Sequence, residues 1–300
     1  MISSPEWLLS DEELFKVFAF LKRNTDLLSH DDYRAAHVGY HCGQSRRLKD
    51  IRGYLVNVWS NTSLGTRLGE EWVDALNINA PEDFLHWWDG FPEVYFDNQE
   101  AWVNAMMLEP TRATAEGLVV DPDWALDDCP RIFDPVPDRP QEFKPCHLRM
   151  HEHVLLPVLR TECKAFKLMH FFKLKDVTGG KQTLVSDYAS VVAKWHECQG
   201  CIVNFRDSDL DAAMRGFYPE ESWGHSPAGQ AHRTEFCGFF DGAIEYHFLN
   251  SEDFLNARRR DHEALYAIEQ RIFSSCWYVE VDENLVVLPN RNPAPAFYFR

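Results

Sequence analysis

The chain has 300 residues, 45% hydrophobic and 14% aromatic, enough for one large domain or for two of about 150 residues each. Its 47 acidic residues outnumber the 30 basic ones, so the net charge is −17, and such a field repels a phosphate backbone. We therefore expect no nucleic-acid partner. No apolar run reaches the length of about 18 residues that typifies a membrane helix, so we also expect no membrane span.

The N-terminal segment lacks the basic stretch followed by an apolar stretch that marks a secretory signal. Eight cysteines are scattered along the chain, and Cys198 with Cys201 forms the one Cys-x-x-Cys pair. Because no second pair follows at zinc-site spacing, we expect reduced thiols and a cytoplasmic protein.

The first half of the chain contains signals for four strands and two helices. A run of β-branched and aromatic residues from Phe15 predicts the first strand. Ser29 is a favoured N-cap residue, and Asp31 and Asp32 suit the first turn of a helix. The remaining elements are predicted as strands over Gly53–Trp59 and after Asp89-Gly90, a helix starting near Asn98, and a strand over about 149–156.

The second half repeats the first. Residues 87–96, WWDGFPEVYF, match residues 239–248, FFDGAIEYHF, at an offset of 239 − 87 = 152. Three further pairs match in the same order: 15–22 with 166–173, Gly53–Asn57 with Gly200–Asn204, and Glu152–Pro157 with Glu283–Pro289. The pattern predicts two tandem ferredoxin-like units of β-α-β-β-α-β order, spanning 1–157 and 158–300.

A ferredoxin-like sheet covers only one face with helices. We therefore predict an α+β fold in which the two sheets pack face to face as an α+β barrel, enclosing a lumen that can hold a ligand. Alternation along the third strand predicts that Val94 and Phe96 face the helices, whereas Glu93 and Tyr95 face the lumen. Long insertions over 108–147 and 206–234 are expected to form pocket walls.

Six motifs resemble the EthD family of the dimeric α+β barrel superfamily. They read FLKR, DDYRAAHVGYH, GYLVN, WDGFPEVYFDNQEAW, RIFDPVPDR and MHEHVLLP. Single-unit members of this family form homodimers, and the resemblance implies that the fused units supply that pair within one chain. Homodimerisation of the whole chain stays open. The family carries a histidine in its first helix, which falls on His41 here and on His196 in the second unit.

The resemblance also implies a chemistry. Family members are cofactor-independent isomerases, dehydratases and decarboxylases, so we expect a lyase, or secondly an isomerase. The expected substrate is an aromatic or polyketide-like small molecule, and neither a cofactor nor a metal is expected. The many Trp and Phe side chains suit a flat apolar ligand.

Histidine and buried carboxylates are the residue types that move protons near neutral pH. His170 and His247 stand where the first unit has Ala19 and Tyr95, which suggests that the second unit specialised. The predicted catalytic residues are His170, His196, Glu245, His247, His41, Glu93 and Tyr95, and the predicted substrate-binding residues are His37, Asp241, Trp88 and Phe240.

Two other functions remain open. Related barrels bind haem through a histidine, so a haem enzyme is one alternative, and a non-catalytic module that binds a small molecule is the other. The sequence contains no glycine-rich dinucleotide motif, no GxSxG and no HExxH, which disfavours dinucleotide enzymes, α/β-hydrolases and zinc proteases.

Overall fold

The computed structural model describes residues 14–46, 48–61, 76–106, 128–159, 165–211 and 220–289. The first half contains β1 (Phe15–Ala19), α1 (His30–Arg34, continuing through Ala35–His41 and Cys42–Ser45), β2 (Gly53–Trp59), β3 (Gly90–Phe96), α2 (Gln99–Met106), α3 (Cys129–Ile132), β4 (Pro135–Val136), β5 (Arg139–Phe143) and β6 (His147–Leu156). The second half contains β7 (Phe166–Leu174), α4 (Val177–Thr183, continuing through Leu184–Tyr188 and Ala189–Val192), β8 (Gly200–Asp209), α5 (Pro227–Cys237), β9 (Gly242–Phe248), α6 (Ser251–Arg260), α7 (His262–Ile272) and β10 (Phe273–Val287). None of the described helices is long and apolar enough to cross a membrane.

Eight strands form a closed antiparallel barrel in the order β1-β3-β2-β10-β7-β9-β8-β6. Each half contributes four strands to the barrel. Counted along the chain within that half, these strands lie side by side in the order fourth, first, third, second. The halves join at both edges, because β2 pairs with β10 and β6 pairs with β8. The predicted α+β barrel is confirmed, and its two sheets are hydrogen-bonded edge to edge as well as facing each other.

Helix α1 covers the outer face of the first half. It begins as predicted, since the Ser29 hydroxyl accepts a hydrogen bond from the Asp32 N–H while the Asp32 carboxylate accepts one from the Ser29 N–H. Its middle segment, Ala35–His41, is π-helical, and His37 and His41 are the buried residues of that segment. Such wide turns are frequent at functional sites.

The barrel wall separates two apolar regions. On the helix side of the first half, Val94 and Phe96 pack with Tyr33 of α1 and Trp102 of α2. On the lumen side, one end is filled by an aromatic cluster, which includes Phe18, Phe20, Trp88, Phe91, Phe171, Phe240 and Trp277. The predicted alternation along β3 is therefore confirmed.

The other end of the lumen holds a buried ion network. Lys16 Nζ lies 2.9 Å from Glu93 and 2.7 Å from Glu245, and Lys167 Nζ lies 2.8 Å from Glu93 and 2.9 Å from Glu245. All four side chains are at most 1% exposed. Burial works to lower the pKa of both lysines, but the surrounding carboxylates outweigh it and raise the pKa of each amine, so both stay charged.

Each half completes this network in the same way. Asn57 donates to Glu93 at 2.6 Å, and Asn204 donates to Glu245 at 2.7 Å. Two partly buried carboxylates close the set, with Glu152 at 3.1 Å from Lys16 and Glu283 at 2.8 Å from Lys167. Buried charges need such pairing because an isolated ion pays a large desolvation cost.

Two glycines allow the chain to cross over the polar end. A Cβ at Gly53 would lie 2.8 Å from the Cα of Pro289, and a Cβ at Gly200 would lie 2.7 Å from the Cα of Val158. Because these contacts involve backbone, they cannot relax through a side-chain rotation. Glycine at these matched positions therefore lets the residues after β6 and β10 pack against the barrel.

The ion network makes stability sensitive to either lysine. We expect Lys16→Met to lower the free energy of unfolding by about 3–5 kcal/mol, because it removes one of the two cations that pair with the buried carboxylates of Glu93 and Glu245. Lys194→Met, at an exposed lysine, should change it by less than about 0.5 kcal/mol. Urea unfolding of both variants measures the difference. Equal stabilities would show that the network contributes nothing to the folded state.

Candidate active site

A cavity of about 70 Å³ lies between α1 and the outer face of the first half of the sheet. Most of its wall is apolar, with Ala19, Leu21, Val94, Phe96 and Trp102 among the lining residues. Two histidines, His41 and His147, also line it. An apolar cavity with a few polar groups is the usual form of a small-molecule site.

Each of these histidines is paired with a buried aspartate. His41 Nδ1 lies 2.9 Å from Asp128 Oδ2, and His147 Nδ1 lies 2.7 Å from Asp211 Oδ1. The residues His41 and His147 are 6% and 9% exposed. A carboxylate at Nδ1 favours the proton on that nitrogen, which makes Nε2 the basic nitrogen of each ring.

Four different segments bring these side chains together. His41 ends the π-helical segment of α1, and Asp128 immediately precedes α3 within the first insertion. His147 begins β6, and Asp211 follows β8 of the second half. Asp211 also accepts a hydrogen bond from the His147 N–H at 2.8 Å, so the second half anchors a residue of the first.

The charge states of Asp211 and His37 beside the cavity follow from their surroundings. Burial works to raise the pKa of Asp211, but His147 and Arg233 outweigh it and lower that pKa, so the carboxylate stays ionised. His37 lies beside His41, with ring centroids 5.4 Å apart. Burial, and then the nearby His41, hold the pKa of His37 well below its usual value, so His37 is neutral and hydrogen-bonded to Tyr33 at 2.9 Å.

The corresponding space in the second half is filled. In the first half, Ala19 of β1 stands opposite His147 of β6. In the second half, His170 of β7 stands opposite Tyr278 of β10, and their rings stack with centroids 4.0 Å apart. Burial, followed by the charge of Arg258, holds the pKa of His170 well below its usual value. His170 thus occupies the volume that Ala19 leaves open.

A second polar group fills that space further. Arg258 is buried and pairs with the buried carboxylate of Glu269. The Tyr188 hydroxyl donates to Glu269 at 3.2 Å and also contacts the Tyr246 hydroxyl. The helix side of the second half is therefore an apolar core with these buried polar groups packed inside it.

Four of the predicted catalytic residues meet at the polar end of the lumen. Glu93 and Glu245 belong to the ion network. Burial works to raise the pKa of Glu245, but Lys16, Lys167 and then His247 outweigh it and hold that pKa well below its usual value. The Tyr95 hydroxyl donates to Glu93 at 3.1 Å, and His247 Nε2 lies 3.6 Å from Glu245.

The other predicted residues are dispersed. Trp88 and Phe240 lie in the aromatic cluster of the lumen. Asp241 accepts a hydrogen bond from the Leu174 N–H at 2.9 Å in the turn before β9. His196 is exposed in the turn after α4. The structure therefore does not bring His170, His196 and Asp241 together with Glu245 and His247.

Sequence reasoning missed three of the four residues in the histidine–aspartate pairs. His147 lies at the start of the closing strand, and Asp128 and Asp211 lie in or beside insertions that have no counterpart in the other half. Nothing in their local spacing marks them. Lys16 and Lys167 could have been predicted from the sequence, because they occupy matching positions in the repeat and strand alternation points both toward the lumen. The sequence predicts pocket walls in the first insertion, and the part from residue 128 onward does line the cavity. Residues 108–127 lie outside the described residues.

No protein-family model matches the sequence, and no curated protein matches it, so membership of the EthD family is not confirmed. Among solved structures, the chain is similar to an anthrone oxidase-like protein at 9% identity and a TM-score of 0.47, covering 95% of this chain and 98% of that one. It is also similar to a mutant chlorite dismutase from Candidatus Nitrospira defluvii at 9% identity and a TM-score of 0.39, covering 98% and 97%. Similarities this distant carry no argument about activity.

The cavity lined by His41 and His147 does not fit a haem. The cavity that His41 lines is about 70 Å³, far below the roughly 300–1,000 Å³ of pockets that hold drug-sized ligands. A porphyrin is at least as large as such ligands. The described part of the lumen is occupied by the aromatic cluster and the ion network.

The lowered pKa of Asp211 has a consequence for stability. When the pH is above the ordinary pKa of an aspartate, the ionised Asp211 stabilises the folded protein. This contribution is lost as the pH falls through the lowered pKa that Asp211 has in the folded protein. We therefore expect Asp211→Asn to be less stable than wild type at pH 7, with the gap narrowing below about pH 4. Urea unfolding at pH 7, 5, 4 and 3 measures the gap, and the exposed Asp26→Asn is the control. A gap independent of pH would contradict the role of the charge.

Proposed function

We propose that the protein is a small-molecule enzyme of the lyase or isomerase class that moves protons with the pairs His41–Asp128 and His147–Asp211. One observation supports this proposal most strongly: two buried histidines, each oriented by an aspartate, line the same apolar cavity. The proposal keeps the reaction class that the sequence predicts and moves its site from the lumen to the helix side of the first half.

Two such pairs match the needs of this chemistry. Elimination and isomerisation both require one group to remove a proton and another to deliver one. The Asp128 and Asp211 carboxylates stabilise the imidazolium that forms when either ring accepts a proton. An apolar surround strengthens these charge interactions, because it excludes the screening effect of water. Neither pair requires a cofactor.

The cavity limits the substrate. A cavity of about 70 Å³ is smaller than the roughly 150 Å³ cavity that takes up benzene. We therefore propose a small carbon acid with a carbonyl or hydroxyl group as the substrate that fits the described walls. The aromatic or polyketide-like substrate stays a prediction and requires these walls to open further.

The strand order supports an origin by tandem duplication. We infer that the halves 1–157 and 158–300 are two ferredoxin-like units, because each repeats the order fourth, first, third, second in its sheet. The seven cysteines in the described part of the chain are free, which supports the prediction of a cytoplasmic protein.

Substitution of the paired histidines tests the proposed reaction. A panel of small ketones, lactones and hydroxy acids, with aromatic members included, is incubated with the enzyme in D₂O, and NMR follows product formation and deuterium incorporation. We expect His41→Gln and His147→Gln each to lower turnover by about 10²–10⁴-fold, the usual contribution of a general acid or base.

Two controls accompany this experiment. His153→Gln, at an exposed histidine of β6, should retain wild-type turnover. His247→Gln separates the cavity from the lumen, because it removes the histidine of the polar end and leaves both histidine–aspartate pairs intact. Loss of turnover in His247→Gln alone, with full activity in His41→Gln and His147→Gln, would place the reaction in the lumen and refute the proposal.

Filling the cavity should block the same reaction without unfolding the protein. Ala19 lines the cavity opposite His147, and Ala19→Val adds two methyl groups there. We expect turnover to fall while the free energy of unfolding stays equal or rises, because a filled void gains contacts. Ala231→Val, on the exposed side of α5, is the matched control. Unchanged kcat and KM in Ala19→Val would show that substrate binds elsewhere.

A further inference from the structure

Among the described residues, the side chains at the polar end of the lumen carry more negative than positive charge. Four carboxylates, those of Glu93, Glu152, Glu245 and Glu283, surround the two ammonium groups of Lys16 and Lys167. Glu93 and Glu245 are at most 1% exposed, so water screens this excess poorly. A bound cation would relieve the repulsion among the carboxylates.

A buried histidine nitrogen beside these charges lacks a hydrogen-bond partner among the described residues. The His247 side chain is 2% exposed, and its Nε2 has no hydrogen-bond partner among the described residues although it lies 3.6 Å from Glu245 Oε2. The amide oxygen of Asn204 also lacks a donor, while its Nδ2 donates to Glu245. Unsatisfied buried polar atoms are costly, which points to a ligand that the protein binds.

We propose that His247, Glu245 and Glu283 bind one divalent transition-metal ion. One ligand atom from each side chain lies within 4.8 Å of the other two, so small side-chain movements bring all three into a single coordination sphere. One imidazole and two carboxylates suit zinc, manganese or iron, whereas magnesium and calcium prefer oxygen ligands alone. The site is separate from the cavity of His41 and His147 and goes beyond the proposed reaction.

Lys167 identifies the position that the ion would take. Its ammonium group lies 2.9 Å from Glu245 and 2.8 Å from Glu283, so it already serves these carboxylates as a cation. A metal ion between them would displace Lys167 toward Glu93, with which it pairs at 2.8 Å. Metal and lysine therefore compete, and removing the lysine should strengthen metal binding.

Only one half of the described barrel has the ligand set. The matching positions in the first half are Glu93, Tyr95 and Glu152, and the phenol of Tyr95 donates to Glu93 at 3.1 Å. A phenol with its proton is a poor ligand beside an imidazole. We therefore expect one metal ion per chain.

Titration of the chelator-treated full-length protein tests the site. Isothermal calorimetry with Zn²⁺ and Mn²⁺ gives stoichiometry and affinity, and the visible absorption of Co²⁺ reports coordination. We expect one ion per chain for the wild type. Loss of an outer-shell partner typically weakens metal binding about 10–100-fold. His247→Gln and Glu283→Gln each remove a direct ligand and should weaken it by at least that factor.

Three further variants sharpen the result. Tyr95→Phe alters the matching position in the first half and should bind as the wild type does. Lys167→Met should bind more tightly, and Tyr95→His should raise the stoichiometry to two. Circular dichroism verifies that each variant folds. Glu283→Gln should disturb the core least, because Glu283 is partly exposed. Absence of binding with all three metals, or wild-type affinity in folded Glu283→Gln or His247→Gln, would overturn the proposal.

Discussion

The buried charges at the polar end of the lumen constrain the whole barrel. Lys16 of the first half pairs with Glu245 of the second, and Lys167 of the second pairs with Glu93 of the first. Separating the halves would break these cross-pairs, and any of these charges that stayed buried without its partner would be strongly destabilising. Together with the strand pairs at both edges, this cross-pairing makes each half depend on the other.

Because the halves are joined through the lumen and at both strand edges, the side chains on the helix side can differ between the two halves. In the second half, His170, Tyr278 and the Arg258–Glu269 pair fill the space under the helices. In the first half, Ala19 leaves a cavity that two histidines line. One half can thus contribute packing while the other carries the proposed site, and Asp211 of the packed half holds His147 across the strand junction.

Much of the barrel could be predicted from local patterns. The repeat predicted two units, and the alternation along β3 correctly placed Glu93 toward the lumen and Val94 toward the helices. The site was harder to predict. Comparison of the two halves of the sequence predicted chemistry at His170, where the first half has Ala19. In the structure the larger residue fills space, and a cavity lies beside Ala19.

The sequence by itself predicted an α+β barrel, the approximate positions of its strands along the chain and the two faces of β3, because these depend on spacing along the chain. Only the tertiary structure decided which charges meet and where a cavity remains. His41, Asp128, His147 and Asp211 come from four separate segments, and their pairing depends on barrel closure and on insertions without repeat partners. A cavity is set by the volumes of side chains facing each other across strands, so no local pattern reports it.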